Sequence, residues 1–125
     1  MKNLKIEATA YTPFVNLDFE IGSITFYGRS IMEVPENFYK DIIKWIKTYV
    51  NNNPEKYTIV NVGFDYMNTA SSKIIYNILK DLSIMNKKYI KFIIKYEEDD
   101  EDMYTVYENF EYLLDVDFEY QVIMF

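Results

Sequence analysis

Two stretches of the chain have residue types and spacing that could do chemistry. One is Asn68-Thr69-Ala70-Ser71-Ser72-Lys73, a cluster of hydroxyls and an amide. The other is Glu97-Glu98-Asp99-Asp100-Glu101-Asp102, six acids in a row. A phosphate on Thr69 would sit at a helix N-terminus, where free N–H groups and the helix dipole favour negative charge. It would add roughly −1.5 to −2 charges to a surface that partners touch. The acids could hold Mg²⁺ or Ca²⁺ through carboxylate oxygens, or face a basic partner. Each stretch also has a plainer reading. Asn, Thr and Ser cap helices because their side-chain oxygens take the free N–H groups of the first turn. Acids suit that same turn, and this run lacks the glycine-containing spacing of a calcium loop. Six crowded like charges repel one another unless the helix dipole or a partner offsets them.

Other chemistry is thinly supplied. The chain has no histidine and no cysteine, which removes the usual general base, the thiol nucleophile, the thiolate metal site and the Ser-His-Asp arrangement. No spacing singles out a catalytic pair of carboxylates, and three scattered glycines cannot form a phosphate-cradling loop. No cofactor is expected. Arg29, the single arginine, could hold a carboxylate or phosphate through two parallel hydrogen bonds, or be an ordinary strand-end charge. The formal net charge of −7 argues against nucleic acid and anionic membrane, both of which need a basic footprint. No apolar run approaches the ~20 residues of a membrane span, and no signal peptide is visible. A cytoplasmic protein is the default expectation.

The elements that must position these residues follow from periodicity. Half of the 125 residues are hydrophobic and 18% are aromatic, enough for one core, so residues 1–125 are expected to form a single domain. Val60, Val62, Phe64 and Tyr66 alternate with Asn61, Gly63 and Asp65, the period of a half-buried strand. From Ile74 the period changes: Ile74, Ile75, Ile78, Leu79 and Leu82 make a helical stripe. The hydroxyl cluster lies at that strand-to-helix junction.

Upstream, Leu4, Ile6 and Ala8 mark a first strand. Residues 14–28 read as a hairpin around Gly22-Ser23. Pro35 opens a helix with Phe38, Ile42, Trp45, Ile46 and Tyr49 on its apolar face, and Asn51-Asn52-Asn53-Pro54 stops it. Downstream, Ile90 to Tyr96 alternate as a strand. Met103, Val106, Tyr107, Phe110, Leu113 and Leu114 mark a third helix, and Phe118, Tyr120, Val122 and Met124 a last strand. The order is β-β-β-α-β-α-β-α-β, an α+β domain with α/β character. Because nearly every strand has one polar face, the helices should cover one side of a mixed sheet and leave the other open to solvent or a partner.

Several pieces of the chain resemble one family. These are Leu4-Lys5-Ile6-Glu7-Ala8-Thr9 with Tyr11-Thr12-Pro13, then Gly28-Arg29-Ser30, the stretch Asn68 to Lys73, and Tyr96-Glu97-Glu98-Asp99-Asp100-Glu101-Asp102-Met103. In this order, and over essentially the whole chain, they resemble the SiaC-family regulatory phosphoproteins. The resemblance implies a fold similar to STAS domains of the SpoIIAA type, with which the element order agrees. It implies a non-enzymatic adaptor in a partner-switching circuit, set by a serine/threonine kinase and a PP2C-like phosphatase. The unphosphorylated form would bind and activate a GGDEF-type diguanylate cyclase, raising cyclic di-GMP and acting on biofilm formation.

By residue matching, the phosphorylated threonine carries over to Thr69, with Ser71 and Ser72 as less favoured neighbours. The partner surface would comprise Asn68, Thr69, Ser71, Ser72 and Lys73, with Arg29 and Glu97, Glu98, Asp99 and Asp100. Two alternatives of other classes remain. One is a small acidic metal- or ligand-binding domain built on residues 97–102. The other is a structural dimerisation module using the open sheet face.

Overall fold

A computed structural model describes residues 1–123 of the chain. Its elements follow the expected order: β1 (Leu4–Ile6), β2 (Phe14–Asp18), β3 (Ser23–Ser30), α1 (Pro35–Asn52), β4 (Thr58–Met67), α2 (Thr69–Leu82), β5 (Ile90–Glu97), α3 (Glu101–Leu114) and β6 (Phe118–Ile123). The six strands form one sheet in sequence order. β1, β2 and β3 pair antiparallel, whereas β3 to β6 pair parallel. Right-handed crossovers that always step in the same direction place their helices on the same side of the sheet. The three helices therefore share one face, as the polar–apolar alternation of the strands requires.

The core lies between that face and the helices. Val15, Leu17, Ile24, Phe26, Val60, Val62, Phe92 and Ile94 point into it from the strands, and Ile42, Ile46, Ile75, Leu79 and Tyr107 meet them from the helices. The opposite face carries no helix, but its side chains cover one another. Gly63 leaves room for the Tyr27 ring: a Cβ there would come within 2.9 Å of Tyr27 Cδ1. Lys95 reaches over that ring, its Nζ 5.3 Å from the centroid and 3.0 Å from the Tyr27 hydroxyl.

Four local expectations are corrected. The first strand stops at Ile6, and Ala8 is exposed. There the chain turns about Thr9, whose hydroxyl accepts the amides of Tyr11 and Thr12. Second, Tyr66 does not continue the inward row of β4. The β3–β4 register runs from Gly28↔Phe64 to Arg29↔Tyr66, so Asp65 is an extra residue. A bulge of this kind reverses the alternation, leaving Tyr66 52% exposed and Met67 buried. Gly28 accommodates the irregularity at a φ of 106°, a conformation that other residues rarely adopt. Third, Tyr39 rather than Phe38 is the sealed aromatic at the start of α1; Phe38 is only half-buried. The Tyr39 hydroxyl pairs with Ser30 Oγ at 2.7 Å, which makes burial of the phenol tolerable. Fourth, Leu113 and Val122 lie outside the core, 63% and 48% exposed. Met124, expected in the last strand, falls outside the described residues.

The parallel ladder between β4 and β5 ends at Val62↔Ile94, although both strands continue. The next inward amide of β4, Phe64 N–H, donates instead to the Tyr107 hydroxyl of α3 at 2.9 Å. That bond is buried, so Tyr107→Phe would leave the amide unpaired. We expect a loss of about 1–2 kcal/mol in stability by urea unfolding, with the fold otherwise intact; an unchanged midpoint would mean that the amide finds another partner.

Burial also pushes the Tyr39 phenol up to about 12, against a weaker lowering by its bond to Ser30. Tyr107 moves upward for the same first reason. A phenol whose folded pKa exceeds its unfolded value keeps its full stabilising contribution below about pH 10 and loses it as pH rises toward 12. The melting temperature should therefore fall between about pH 10 and 12, in step with phenolate absorbance at 295 nm. A stability that stays flat across that window would contradict the burial.

Candidate functional site

The parallel strands β3, β4 and β5 all run toward the same edge of the sheet, so their C-terminal ends gather there. Arg29-Ser30 closes β3, Met67 closes β4 immediately before Asn68, and Glu97 closes β5. The sheet topology thus brings together the three stretches that stood out in the sequence, although residues 29 and 97 are far apart along the chain.

Asn68 organises the junction. It is the N-cap of α2. Its Oδ1 accepts the Ser71 amide at 3.0 Å, and its Nδ2 donates to the Met32 carbonyl at 2.9 Å. Its own N–H donates to the Ser30 carbonyl at 3.0 Å, and its carbonyl accepts the Ser72 amide at 2.9 Å. The side chain and backbone together tie the helix start to β3 and to the segment leading into α1.

That anchoring fixes which hydroxyl faces outward. Thr69, the first helical residue, is exposed, and its hydroxyl has no hydrogen-bond partner among the described residues. Ser71 is fully buried, and its Oγ is without a partner. Ser72 is half-buried and Lys73 exposed. The burial of Ser71 was legible in principle. Position 71 lies four residues before Ile75 and seven before Ile78, on the extension of the apolar stripe. An orphaned buried hydroxyl costs stability, so Ser71→Ala should raise stability by up to about 1 kcal/mol; a loss instead would indicate that the hydroxyl is bonded.

The acidic stretch is divided among different tasks. Glu97 ends β5, and Asp100 is the N-cap of α3, its Oδ1 accepting the Met103 amide at 3.1 Å. Glu101 and Asp102 lie in the first helical turn, where the dipole favours them. Glu98 and Asp99 are exposed in the intervening turn. Among the described residues, no group of three or more acids is placed to hold a metal ion. Arg29 is exposed beside the bulge, opposite Tyr66. An open depression of about 680 Å³ lies nearby on the helix-free face, lined by Tyr27, Gly63, Asp65, Lys95 and Gln121 among others. None of the six acids lines it. No described helix is long and apolar enough to cross a membrane.

No curated protein sequence gives a significant match. Solved structures do match. SiaC of Pseudomonas aeruginosa superposes with a TM-score of 0.83 at 20% identity, covering the whole of both chains. Apo-SiaC from the same organism gives 0.82 at 21% identity, over 98% of this chain and all of that one. A chain of the crystal structure of the diguanylate cyclase SiaD in complex with its activator SiaC, again from Pseudomonas aeruginosa, gives 0.83 at 21%, over 98% of this chain and 99% of that one. At such identities the likeness establishes the shared fold, including the six-stranded mixed sheet and three helices. The family model of the SiaC family regulatory phosphoproteins matches residues 6–123, almost the entire chain, and the protein therefore belongs to the SiaC family.

Proposed function

We propose that the protein is a non-enzymatic cytoplasmic adaptor switched by phosphorylation of Thr69. In its unphosphorylated form it binds and activates a GGDEF-type diguanylate cyclase, and so raises cyclic di-GMP. A serine/threonine kinase and a PP2C-like phosphatase set its state. Membership of a family of regulatory phosphoproteins supports the switch. The solved complex of SiaD with its activator SiaC supports a cyclase as the partner.

The observation that carries the choice of residue is the contrast at the start of α2: Thr69 is exposed, whereas Ser71 is sealed. A phosphate on Thr69 would meet the positive end of the helix dipole and the first-turn amides that Asn68 does not engage. Arg29 and Lys73, both exposed, contribute to the partner surface with Asn68, Ser72 and the acids of residues 97–100 at the same sheet edge.

Tryptic digestion of the protein purified from growing cells provides a direct test. Cleavage after Lys56 and Lys73 releases residues 57–73, which contain Thr69, Ser71 and Ser72. Fragment ions should place the phosphate on Thr69. A phosphate found only on Ser72, or none under any growth condition, would remove this reading.

A further inference from the structure

The last strand leaves one edge of the sheet open. β6 stands at the end of the strand order and pairs with β5. Alternation along the sheet fixes which of its backbone groups face outward. Thr58 N–H donates to the Tyr89 carbonyl and Ile59 N–H to the Gly22 carbonyl, so the even-numbered residues at this end of β4 address β5. Successive residues of a strand turn their N–H and C=O groups to opposite sides. The registers Val60↔Phe92 and Phe92↔Phe118 carry that parity across: Glu119, Gln121 and Ile123 address β5, whereas Phe118, Tyr120 and Val122 address the open edge. The Phe118 amide agrees, since it donates to Glu111 Oε2 of α3 at 2.6 Å and not to β5. The Tyr120 and Val122 amides have no hydrogen-bond partner among the described residues. Natural sheets blunt such edges with brevity, lysine, proline or a bulge. β1, at the opposite edge, is three residues long and carries Lys5. β6 runs for six residues in unbroken register without lysine or proline, and its Val122 is 48% exposed.

The helix flank beside this edge is acidic. Tyr104, Glu108, Glu111 and Asp115 are spaced four, three and four residues apart, which places them on one side of α3. That side faces β6: the Tyr104 and Tyr120 ring centroids lie 5.2 Å apart, and Glu111 accepts the Tyr120 hydroxyl as well as the Phe118 amide. Glu108, Glu111, Asp115 and Asp117 line an open concavity there. Glu111 is occupied by the strand. Glu108, Asp115 and Asp117 are exposed and have no ion-pair partner among the described residues. Glu108 and Asp115 lie toward the negative pole of α3, which has no basic residue in its last turn, so the helix dipole does not account for them.

One occupant fits both features. A strand laid along β6 would pair with the N–H and C=O groups of Tyr120 and Val122. Every second side chain of that strand would stand on the helix side of the sheet, where a lysine or arginine would meet Glu108, Asp115 and Asp117. The same carboxylates oppose a second copy of this chain, because two-fold pairing of β6 with itself would bring two acidic α3 flanks together across the axis.

We propose that the β6 edge receives an extended segment of a protein partner, paired strand to strand and carrying Lys or Arg at alternate positions. None of the residues involved belongs to the surface around Thr69, so this is an additional interaction surface.

The test uses the full, unphosphorylated chain, titrated with short capped peptides and followed by amide chemical shifts and hydrogen exchange. One peptide alternates lysine with threonine, and a second alternates glutamate with threonine. A third is the lysine peptide with an N-methylated backbone, which keeps the side chains and loses the strand donors. The lysine peptide should slow exchange of the Tyr120 and Val122 amides, bind about tenfold or more tightly than either of the others, and weaken as salt rises past about 0.15 M. A Glu108→Gln, Asp115→Asn, Asp117→Asn variant should lose the preference for lysine over glutamate while keeping the wild-type spectrum elsewhere; it spares Glu111, and asparagine tolerates the left-handed conformation that Asp115 adopts at φ 52°. Val122→Pro, which a strand tolerates where the N–H faces outward, should weaken the lysine peptide with the carboxylates intact. Equal binding of the lysine and glutamate peptides, an N-methylated peptide as tight as its parent, perturbations away from β6, a wild-type chain that dimerises through β6, or no binding at all would each overturn the proposal.

Discussion

Thr69→Glu should bind the proposed cyclase partner at least about tenfold more weakly than wild type, while Thr69→Ala binds normally and accepts no phosphate. Juxtaposing like charges at an interface costs several kcal/mol, and inverting a 99:1 population takes about 5.5 kcal/mol. A phosphate with close to two charges is of that size. Glutamate carries one charge and less bulk, so its effect should be smaller but of the same sign. The usual objection to such a variant is that it disturbs the fold. Here the geometry answers it. Thr69 is the first residue of α2, its side chain is exposed, and the cap is supplied by Asn68. An acid in a first helical turn is favourable by about 0.3–1 kcal/mol, so the variant should melt no lower than wild type. A Thr69→Gln control adds the bulk without the charge and separates the two contributions. If Thr69→Glu bound the cyclase as tightly as wild type, or if Gln weakened binding as much as Glu, charge would not be the operative element.

What the sequence carried, and what it did not, divides along physical lines. The order of elements was legible because each has a strong period: two in the strands around Val60 and Phe92, 3.6 along Ile75, Ile78 and Leu82. The junction at Asn68 was legible because cap chemistry is local. Features set by tertiary geometry were not. The bulge at Asp65 depends on how β3 and β4 slide past one another, so Tyr66 read as an inward residue on a pattern that reverses there. Tyr39 and Phe38 are adjacent aromatics; the phase of α1 buries Tyr39 with Ile42, Ile46 and Tyr49, and the long-range bond to Ser30 satisfies its hydroxyl. The bond from Phe64 to Tyr107 spans 43 positions and exists only because β4 and β5 part company beyond Val62. At the site itself Thr69, Ser71 and Ser72 read as one group, although position 71 extends the apolar stripe of Ile75 and Ile78 and is the one that α2 buries.

Asn68→Ala should cost about 2–3 kcal/mol, close to the largest single-residue effect at this end of the sheet outside the apolar core. Loss of an N-cap typically costs about 1 kcal/mol, and the Met32 carbonyl would also lose its donor, a further 1–2 kcal/mol for a partly buried bond. For a chain of this size each kcal/mol lowers the melting temperature by about 3–6 °C, so a fall of roughly 6–18 °C is expected. Asn68→Asp sharpens the argument: it retains an oxygen for the Ser71 amide and a charge that suits the helix dipole, but it cannot donate to Met32. It should recover about half of the loss. If alanine and aspartate behaved alike, the cap would not be the stabilising element; if aspartate matched wild type, the bond to Met32 would be incidental. The functional consequence follows from the same anchoring. Asn68 holds the first turn in the orientation that exposes Thr69 and hides Ser71. With the first turn loosened, a kinase acting on the Asn68→Ala protein should distribute phosphate over Thr69, Ser71 and Ser72 rather than place it on Thr69 alone, and the fragment ions of residues 57–73 would reveal that spread.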